Sequence, residues 1–354
     1  MILPYGVLFS LGAALLFGVS TPLAKLLVGR MDPWLLAGLL YLGSGIGMSV
    51  LLGIRRLVHG PESGEAGLTR AHLPWLAGAT LAGGVIAPVL LAVGLTVTSG
   101  GTAALLLNLE GVFTGLLAWL VVREHTDRRL ILGMLIIVAG GAVLAWPQTP
   151  GLESPTPWWG AAAIVAACLC WGIDNTCTRP VASADPLLIV AIKGTVAGTV
   201  NVILAISLGA HWPSSGPVIG ALVVGLLGYG FSLVLFVLAL RHLGSGRTGA
   251  YFAIAPFVGA AMAMVLGEPF SWPLGIAGML MAIGLWLHLS ERHGHHHLHV
   301  DEIHEHAHEH DQHHQHDHVP ADPPGSPHSH RHQHQPLSHS HPHAPDLHHR
   351  HSHA

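Results

Sequence analysis

Before residue 290 the apolar residues of this chain gather into ten long stretches separated by short polar breaks. They fall at about 5 to 28, 33 to 54, 73 to 95, 99 to 122, 129 to 146, 158 to 178, 186 to 208, 216 to 240, 246 to 266 and 272 to 290. Each comes close to the roughly 20 helical residues that cross a hydrocarbon layer of about 30 Å. The pattern predicts an all-α membrane protein with ten transmembrane helices.

The residue order also repeats. Gly6 to Pro33 is echoed by Gly160 to Pro186, with Phe17-Gly18-Val19-Ser20 falling on Trp171-Gly172-Ile173-Asp174, Lys25 on Arg179, and Asp32-Pro33 on Asp185-Pro186. Further along, Gly83-Gly84-Val85 meets Gly228-Tyr229-Gly230, Gly111 lies near Pro256, and Gly133-Met134-Leu135 meets Gly278-Met279-Leu280. The repeat divides the chain into five helices over 1–146, a linker over 147–157, five helices over 158–290, and a tail over 291–354. An odd number of spans per half sends the second half into the membrane from the opposite side. The two halves are then inverted repeats about a pseudo-two-fold axis in the membrane plane.

Composition agrees with lipid as the main solvent, since 51% of residues are hydrophobic and 10% charged against about a quarter charged in soluble domains. The tail is the exception. Crowded with His, Pro, Asp, Glu, Gln and Ser, it has too little apolar surface to fold alone and is expected to be disordered. Met1 to Gly6 holds no Lys or Arg and the first stretch is of full span length, so it reads as a span and not as a cleaved leader. Arg55, Arg56, Arg70, Arg123, Arg128, Arg129, Arg179, Arg241 and Arg247 follow even-numbered spans, whereas Arg30 stands alone on the other side. Basic loops stay cytoplasmic, so both termini are expected in the cytoplasm of a cell that carries the chain in its plasma membrane. Cys168, Cys170 and Cys177 share one span and read as inert buried thiols. No phosphate-cradling loop, nucleophile elbow or metalloprotease helix is present, and no basic stripe with interleaved aromatics, so neither an enzyme nor a nucleic-acid partner is expected.

Residues 101–124, from Gly101 through Asn108, Glu110 and Trp119 to Glu124, with their second-half counterpart Ala250 to Glu268 carrying Ala255-Pro256-Phe257 and Leu266-Gly267-Glu268, resemble the EamA type of the drug/metabolite transporter superfamily. The resemblance covers about 1 to 290. It departs at Gly111, where that family commonly has Pro, so a kink there would have to come from glycine flexibility. The resemblance implies a proton-coupled or facilitative secondary transporter, often an exporter, of amino acids, metabolites or drugs. It implies alternating access around a central cavity walled by the first four spans of each half, with no cofactor required.

Formal charge inside a span marks a pathway or a paired site, and four residues qualify: Lys25, Glu110, Asp174 and Lys193. Glu110, two residues after Asn108 and flanked by apolar turns, reads either as a proton carrier or as a protonated carboxyl bonded to Asn108 or backbone. Asp174 and Lys193 lie on consecutive spans and are expected to pair, as a structural ion pair or as a substrate or coupling site, with Asn175, Thr176 and Asn201 nearby. Lys25 is expected to extend its ammonium to the membrane surface, and Glu124 and Glu268 to fix the turns at span ends. Pro22, Pro88 and Pro256, with Gly83-Gly84 and Gly228-Tyr229-Gly230, are hinge candidates, close helix packing being the competing reading for the glycines. Phe17 and Trp171 are expected at opposite ends of the cavity or as core filler.

Of 30 histidines, 24 fall in the tail, including His295, His296 and His297 and the alternating His304, His306, His308 and His310. Imidazole with carboxylate suits zinc, nickel, cobalt or copper(II), and on a helix His304 with His308, and His306 with His310, would chelate at a spacing of four. A pH-responsive tail and a plain solubilising tail are the other readings. An alternative for the whole protein is a divalent-metal transporter or membrane metal sensor. Away from their ends the spans hold no His to coordinate such an ion, so the tail and the transport path are expected to serve different ligands.

Overall fold

A computed structural model describes residues 5–59, 67–121, 128–146, 158–181 and 184–289, together with the backbone of 294–298, 302–308, 328–334 and 338–342. The linker over 147–157, Glu124 and His310 lie outside the described residues.

Among the described residues of 5–289, all regular structure is helical. Helix α1 spans Tyr5–Val28 and α2 Pro33–His59. Then come α3 (Leu73–Ala79) and α4 (Ala87–Val97), joined without a break by a π-helical turn over Thr80–Ile86. Next are α5 (Gly100–Leu106), α6 (Leu109–Leu120) and α7 (Arg128–Ala145). The second half holds α8 (Trp158–Thr178), α9 (Pro186–Ser207), α10 (Ser215–Gly225), a second π-helical turn over Leu226–Phe231, α11 (Ser232–Phe252), α12 (Ala255–Val265) and α13 (Trp272–Leu289).

Eight helical segments among the described residues are long and apolar enough to cross a membrane, and Ala255–Val265 and Trp272–Leu287 are apolar but shorter. The chain is thus a multi-pass membrane protein. The sequence assigns a loop near 241–246, but α11 runs through it to Phe252, leaving α12 as a short helix. The break at Ala253–Ile254 precedes Pro256, which has no N–H to give to a continuing helix. A matching break separates α5 from α6 at Leu107–Asn108, three residues before Gly111. There the Asn108 side-chain amide donates to the Leu105 carbonyl at 2.9 Å, so an amide side chain, not glycine, stands at the kink. A Cβ at Gly111 would meet nothing within 4 Å.

The helices pack across the halves. Helix α1 lies on α11 and α12, α8 lies on α4 and α6, α2 on α9, α7 on α13, and α5 on α12. Helices α2 and α9 run antiparallel. Gly38 approaches Gly198 and Val202, Gly45 approaches Gly194 and Thr195, and Arg55 pairs with Asp185 at the start of α9. Small residues let these two backbones meet closely, which matters where lipid supplies no hydrophobic drive for association. Helices α7 and α13 are antiparallel as well, Gly140 meeting Met281 and Gly284 meeting Gly133 and Ile137. Corresponding contacts recur elsewhere: Gly18 packs on Val258, and Gly172 packs on Phe113. The main core is built of aliphatic side chains such as Leu35, Leu36, Leu95, Leu106 and Ile164, with the half-buried rings of Phe17 and Phe113 packed against it.

In the tail, where a chain unable to fold alone is expected, the backbone forms two antiparallel two-stranded ladders. Residues Gly294–Leu298 (β1) pair with Ser338–Pro342 (β4), and Glu302–His308 (β2) pair with His328–His334 (β3). The backbone of β2 is extended, whereas the spacing of four between His304 and His308 is an expectation for a helix formed on metal binding. A two-stranded ladder alone is marginal in water.

Candidate functional site

The first π-helical turn is the centre of the polar network. Such a turn takes a backbone carbonyl out of the regular ladder, and a freed carbonyl in an apolar interior needs another donor. Gly83 O receives two: the Tyr41 hydroxyl from α2 at 2.5 Å and the Trp171 indole N–H from α8 at 3.1 Å. Asn201 on α9 donates to Gly84 O at 3.3 Å and Val85 O at 3.2 Å, while its own Oδ1 has no partner. Pro88 is the second residue of α4, which follows this turn directly.

Against the same turn lies the ion pair expected from the sequence. Lys193 donates to both oxygens of the Asp174 carboxylate, and the Thr178 hydroxyl adds a third donor to Oδ1 at 3.0 Å. Both ions are buried, so mutual pairing and the extra hydrogen bond must offset their desolvation. Asp174 fits only because residue 83 is glycine: a Cβ there would sit 1.8 Å from Asp174 Oδ2. The second π-helical turn repeats the arrangement without charge, since a Cβ at Gly228 would sit 2.4 Å from that of Ser20, the repeat partner of Asp174.

Glu110, at the start of α6, accepts from Asn175 Nδ2 at 2.9 Å, and the same amide approaches Thr114 Oγ1 at 3.2 Å. Glu110 is half-buried, Asn175 and Gly111 are exposed, and the carboxyl lies within electrostatic reach of Asp174 and Lys193. This carboxyl therefore borders open space beside the buried pair. It does not bond Asn108, which turns back to its own helix.

Phe17 and Trp171 do not stand at opposite ends of a cavity. Their ring centroids are 6.5 Å apart, edge to face, and Phe17 also meets Tyr229 at 6.0 Å and Phe252 at 5.6 Å. Tyr41 and Tyr229 close the group at 5.4 Å. Rings from α1, α2, α8, α11 and the second π-helical turn thus form one cluster. Tyr41 and Thr114 escape a reading of charges alone; for Tyr41 the available signal is a hydroxyl in a span, which needs a partner when buried.

At one end of the bundle, Lys25 does not snorkel. Its ammonium donates to Leu95 O at 2.6 Å, among the last carbonyls of α4, where a cation is favoured by the helix dipole. Glu268 accepts from the backbone N–H groups of Gly100 at 2.7 Å and Gly101 at 2.8 Å, capping α5 from the other half of the chain. Gly267, at φ +98°, makes the left-handed turn after α12 that precedes this carboxylate. Pro22 lies inside an uninterrupted α1, packed near Gly100, while Pro256 coincides with a helix break. A surface depression of about 400 Å³ near Arg30, Asp32 and His211 lies away from the Glu110 network. Among the described residues no group of three or more His, Cys, Asp or Glu side chains could hold a metal.

A bundle of lipid-length helices with interrupted spans and paired charges at its centre is the architecture of a membrane transporter. The EamA-like transporter family model matches twice, over residues 4–146 and 158–290, and the chain belongs to that family; its members are transporters and not enzymes. An uncharacterized transporter of Methanothermobacter thermautotrophicus is 28% identical over 80% of this chain and 85% of its own. A probable terminal-alkyne amino-acid exporter of Streptantibioticus cattleyicolor is 28% identical over 51% of this chain and 63% of its own. One solved crystal structure is similar over 80% of this chain and 94% of its own, with a TM-score of 0.59 at 18% identity, a likeness of fold alone.

Proposed function

We propose that the chain is a secondary transporter that exports a small amino-acid-like solute by alternating access between two inverted five-helix repeats, 1–146 and 158–290. The observation that carries this reading is the antiparallel self-pairing of repeat mates: α2 packs antiparallel on α9, and α7 on α13. Mates in inverted repeats must point opposite ways, and a pocket at their junction opens to either side as one half rocks against the other. The exchange of neighbours supports it too, since α1 meets α11 and α12 just as α8 meets α4 and α6.

Glu110 is the solute or proton site in this account. Its carboxyl borders open space beside Asn175 and Thr114, a chemistry suited to a substrate ammonium or to a proton. The aromatic group of Phe17, Trp171, Tyr229 and Phe252 offers the apolar wall. Asp174 and Lys193 neutralise each other and hold the first π-helical turn, a hinge flanked by Pro88, with Pro256 at the corresponding break of the second half. The direction out of the cell, the plasma membrane and the cytoplasmic termini are supported by the basic even-numbered loops and by a relative named as an exporter. The His-rich tail binds divalent transition ions.

The test is flux of labelled apolar amino acids in proteoliposomes at two pH values. The expected outcome is saturable flux that an imposed pH gradient accelerates, with Glu110→Gln removing the gradient's effect. Unchanged gradient dependence in that variant overturns the assignment of Glu110, and divalent-ion flux without amino-acid flux overturns the choice of solute.

A further inference from the structure

The two halves use the same Asp-Pro pair differently. Asp32 and Asp185 stand at the starts of α2 and α9, and each gives Oδ1 to backbone N–H groups of its helix: Trp34 at 2.8 Å and Leu35 at 3.3 Å for Asp32, Leu187 at 3.0 Å for Asp185. Asp185 also takes the guanidinium of Arg55 from the end of α2, one nitrogen on each carboxylate oxygen. Arg55 stands 23 residues after Asp32, and the residue 23 after Asp185 is Leu208. At the opposite end of the α2–α9 pair the chain therefore has an apolar side chain where repeat equivalence would put a cation. Among the described residues nothing donates to Asp32 Oδ2.

At that end lies the depression of about 400 Å³, its walls carrying Arg30, Asp32, Leu208, Gly209, His211 and Trp212. One wall is a well-defined turn. Gly209, at φ +88°, closes α9, its N–H donating to Ile206 O at 3.0 Å while the Ala210 N–H donates to Ala205 O at 2.9 Å, the paired bonds that set a helix end. Arg30 is exposed and makes no ion pair with Asp32 or with any other described residue. Two opposite charges thus line one small depression without neutralising each other. We infer that this depression binds a zwitterion whose primary ammonium donates to Asp32 Oδ2 and whose anionic end accepts from Arg30. The ammonium takes the place at Asp32 that the Arg55 guanidinium takes at Asp185, and a guanidinium matches a carboxylate or phosphate through two parallel N–H bonds. The volume is that of a small-molecule site. A free amino acid and the headgroup of an aminophospholipid share this chemistry, and Leu208 and Trp212, exposed at 67% and 59%, offer an apolar contact to the rest of either. The site is separate from the Glu110 network and its occupation does not require transport.

Binding is measured by calorimetric titration of the full-length protein in maltoside micelles. The probes are L-leucine and dihexanoyl phosphatidylethanolamine below its micellar concentration, each with a control that has no ammonium N–H: N-acetyl-leucine and dihexanoyl phosphatidylcholine. Saturable binding of one or both probes is expected, with each control weaker by about tenfold or more through loss of a charge-assisted hydrogen bond. Asp32→Asn, whose amide oxygen still caps α2, and Arg30→Gln should each weaken binding to a similar extent. Leu208→Arg removes no polar contact and rebuilds at this end the pair that Arg55 makes with Asp185, so it should exclude the ligand from a bundle that remains folded. Binding of leucine alone assigns the site to a free solute and binding of phosphatidylethanolamine alone assigns it to a lipid headgroup; either supports the zwitterion. Binding of neither probe, or controls that bind as well as the probes, overturns the proposal. Leucine binding that Glu110→Gln abolishes and Leu208→Arg leaves intact belongs to the central network and overturns it as well.

Discussion

Removing one partner of the Asp174–Lys193 pair should destabilise the bundle more than removing both. The two ions are buried between α8 and α9, with relative exposures of 5% and 6%. Asp174→Asn leaves the Lys193 ammonium without its counter-charge, and Lys193→Met leaves the carboxylate held only by Thr178. Stranding one buried charge costs about 3–5 kcal/mol, whereas an uncharged pair of similar volume is often close to neutral. The double variant Asp174→Asn with Lys193→Met should therefore be more stable than either single one. The assay is reversible unfolding in mixed detergent micelles, run as a double-mutant cycle. The contact with Gly83 adds a second, steric arm. A Cβ there would lie 1.8 Å from Asp174 Oδ2, so Gly83→Ala should cost about 1–3 kcal/mol as an overpacked site. It should cost less in an Asp174→Ser background, which reproduces the uncharged pairing of Ser20 with Gly228. A double charge variant as unstable as the sum of the singles would refute the reasoning.

Three further outcomes follow from the geometry. Tyr41→Phe should cost about 0.5–1.5 kcal/mol because Trp171 still satisfies Gly83 O, and the added loss of the indole donor in Trp171→Phe should exceed the sum of the single effects, measured in the same unfolding assay. Glu268→Gln should weaken the cap on α5 by about 1 kcal/mol and speed hydrogen exchange at the Gly100 and Gly101 amides; unchanged exchange at both would contradict the capping role. Zinc held by the tail should be released as pH falls through about 6.5, because imidazole binds metal only when neutral, whereas retention at pH 5 would point to carboxylate ligands.

Much of the fold is legible in the sequence because lipid imposes a length and an apolar composition on each span. Charges are legible for the same reason: Asp174 and Lys193 are costly in that setting, and consecutive spans allow them to meet. What escapes is contact between halves, since spacing along one helix carries no information about a neighbour 65 residues away, as Asn175 is from Glu110. Phe17 and Trp171 are misplaced by the same blindness, because only the packing of α1 near α8 brings their two rings together. The kink beside Asn108 is hidden because a side-chain amide substitutes for the proline that usually marks one. The π-helical turns leave no period of their own, although the glycine pairs at 83–84 and 228–230 flag where they lie. Lys25 looks like an interfacial side chain until α4 is seen to end beside it.

Inversion of the halves is tested most directly at the ends of α2 and α9, which the repeat makes equivalent. Leu57 and Trp212 are both exposed near those ends, at 88% and 59%. Single cysteines at each, in a chain whose Cys168, Cys170 and Cys177 are replaced by Ala, are probed in intact cells with a membrane-impermeant maleimide. The account predicts that Trp212→Cys is labelled and Leu57→Cys is labelled only after the cells are opened. Labelling of both in intact cells, or of neither, would contradict it.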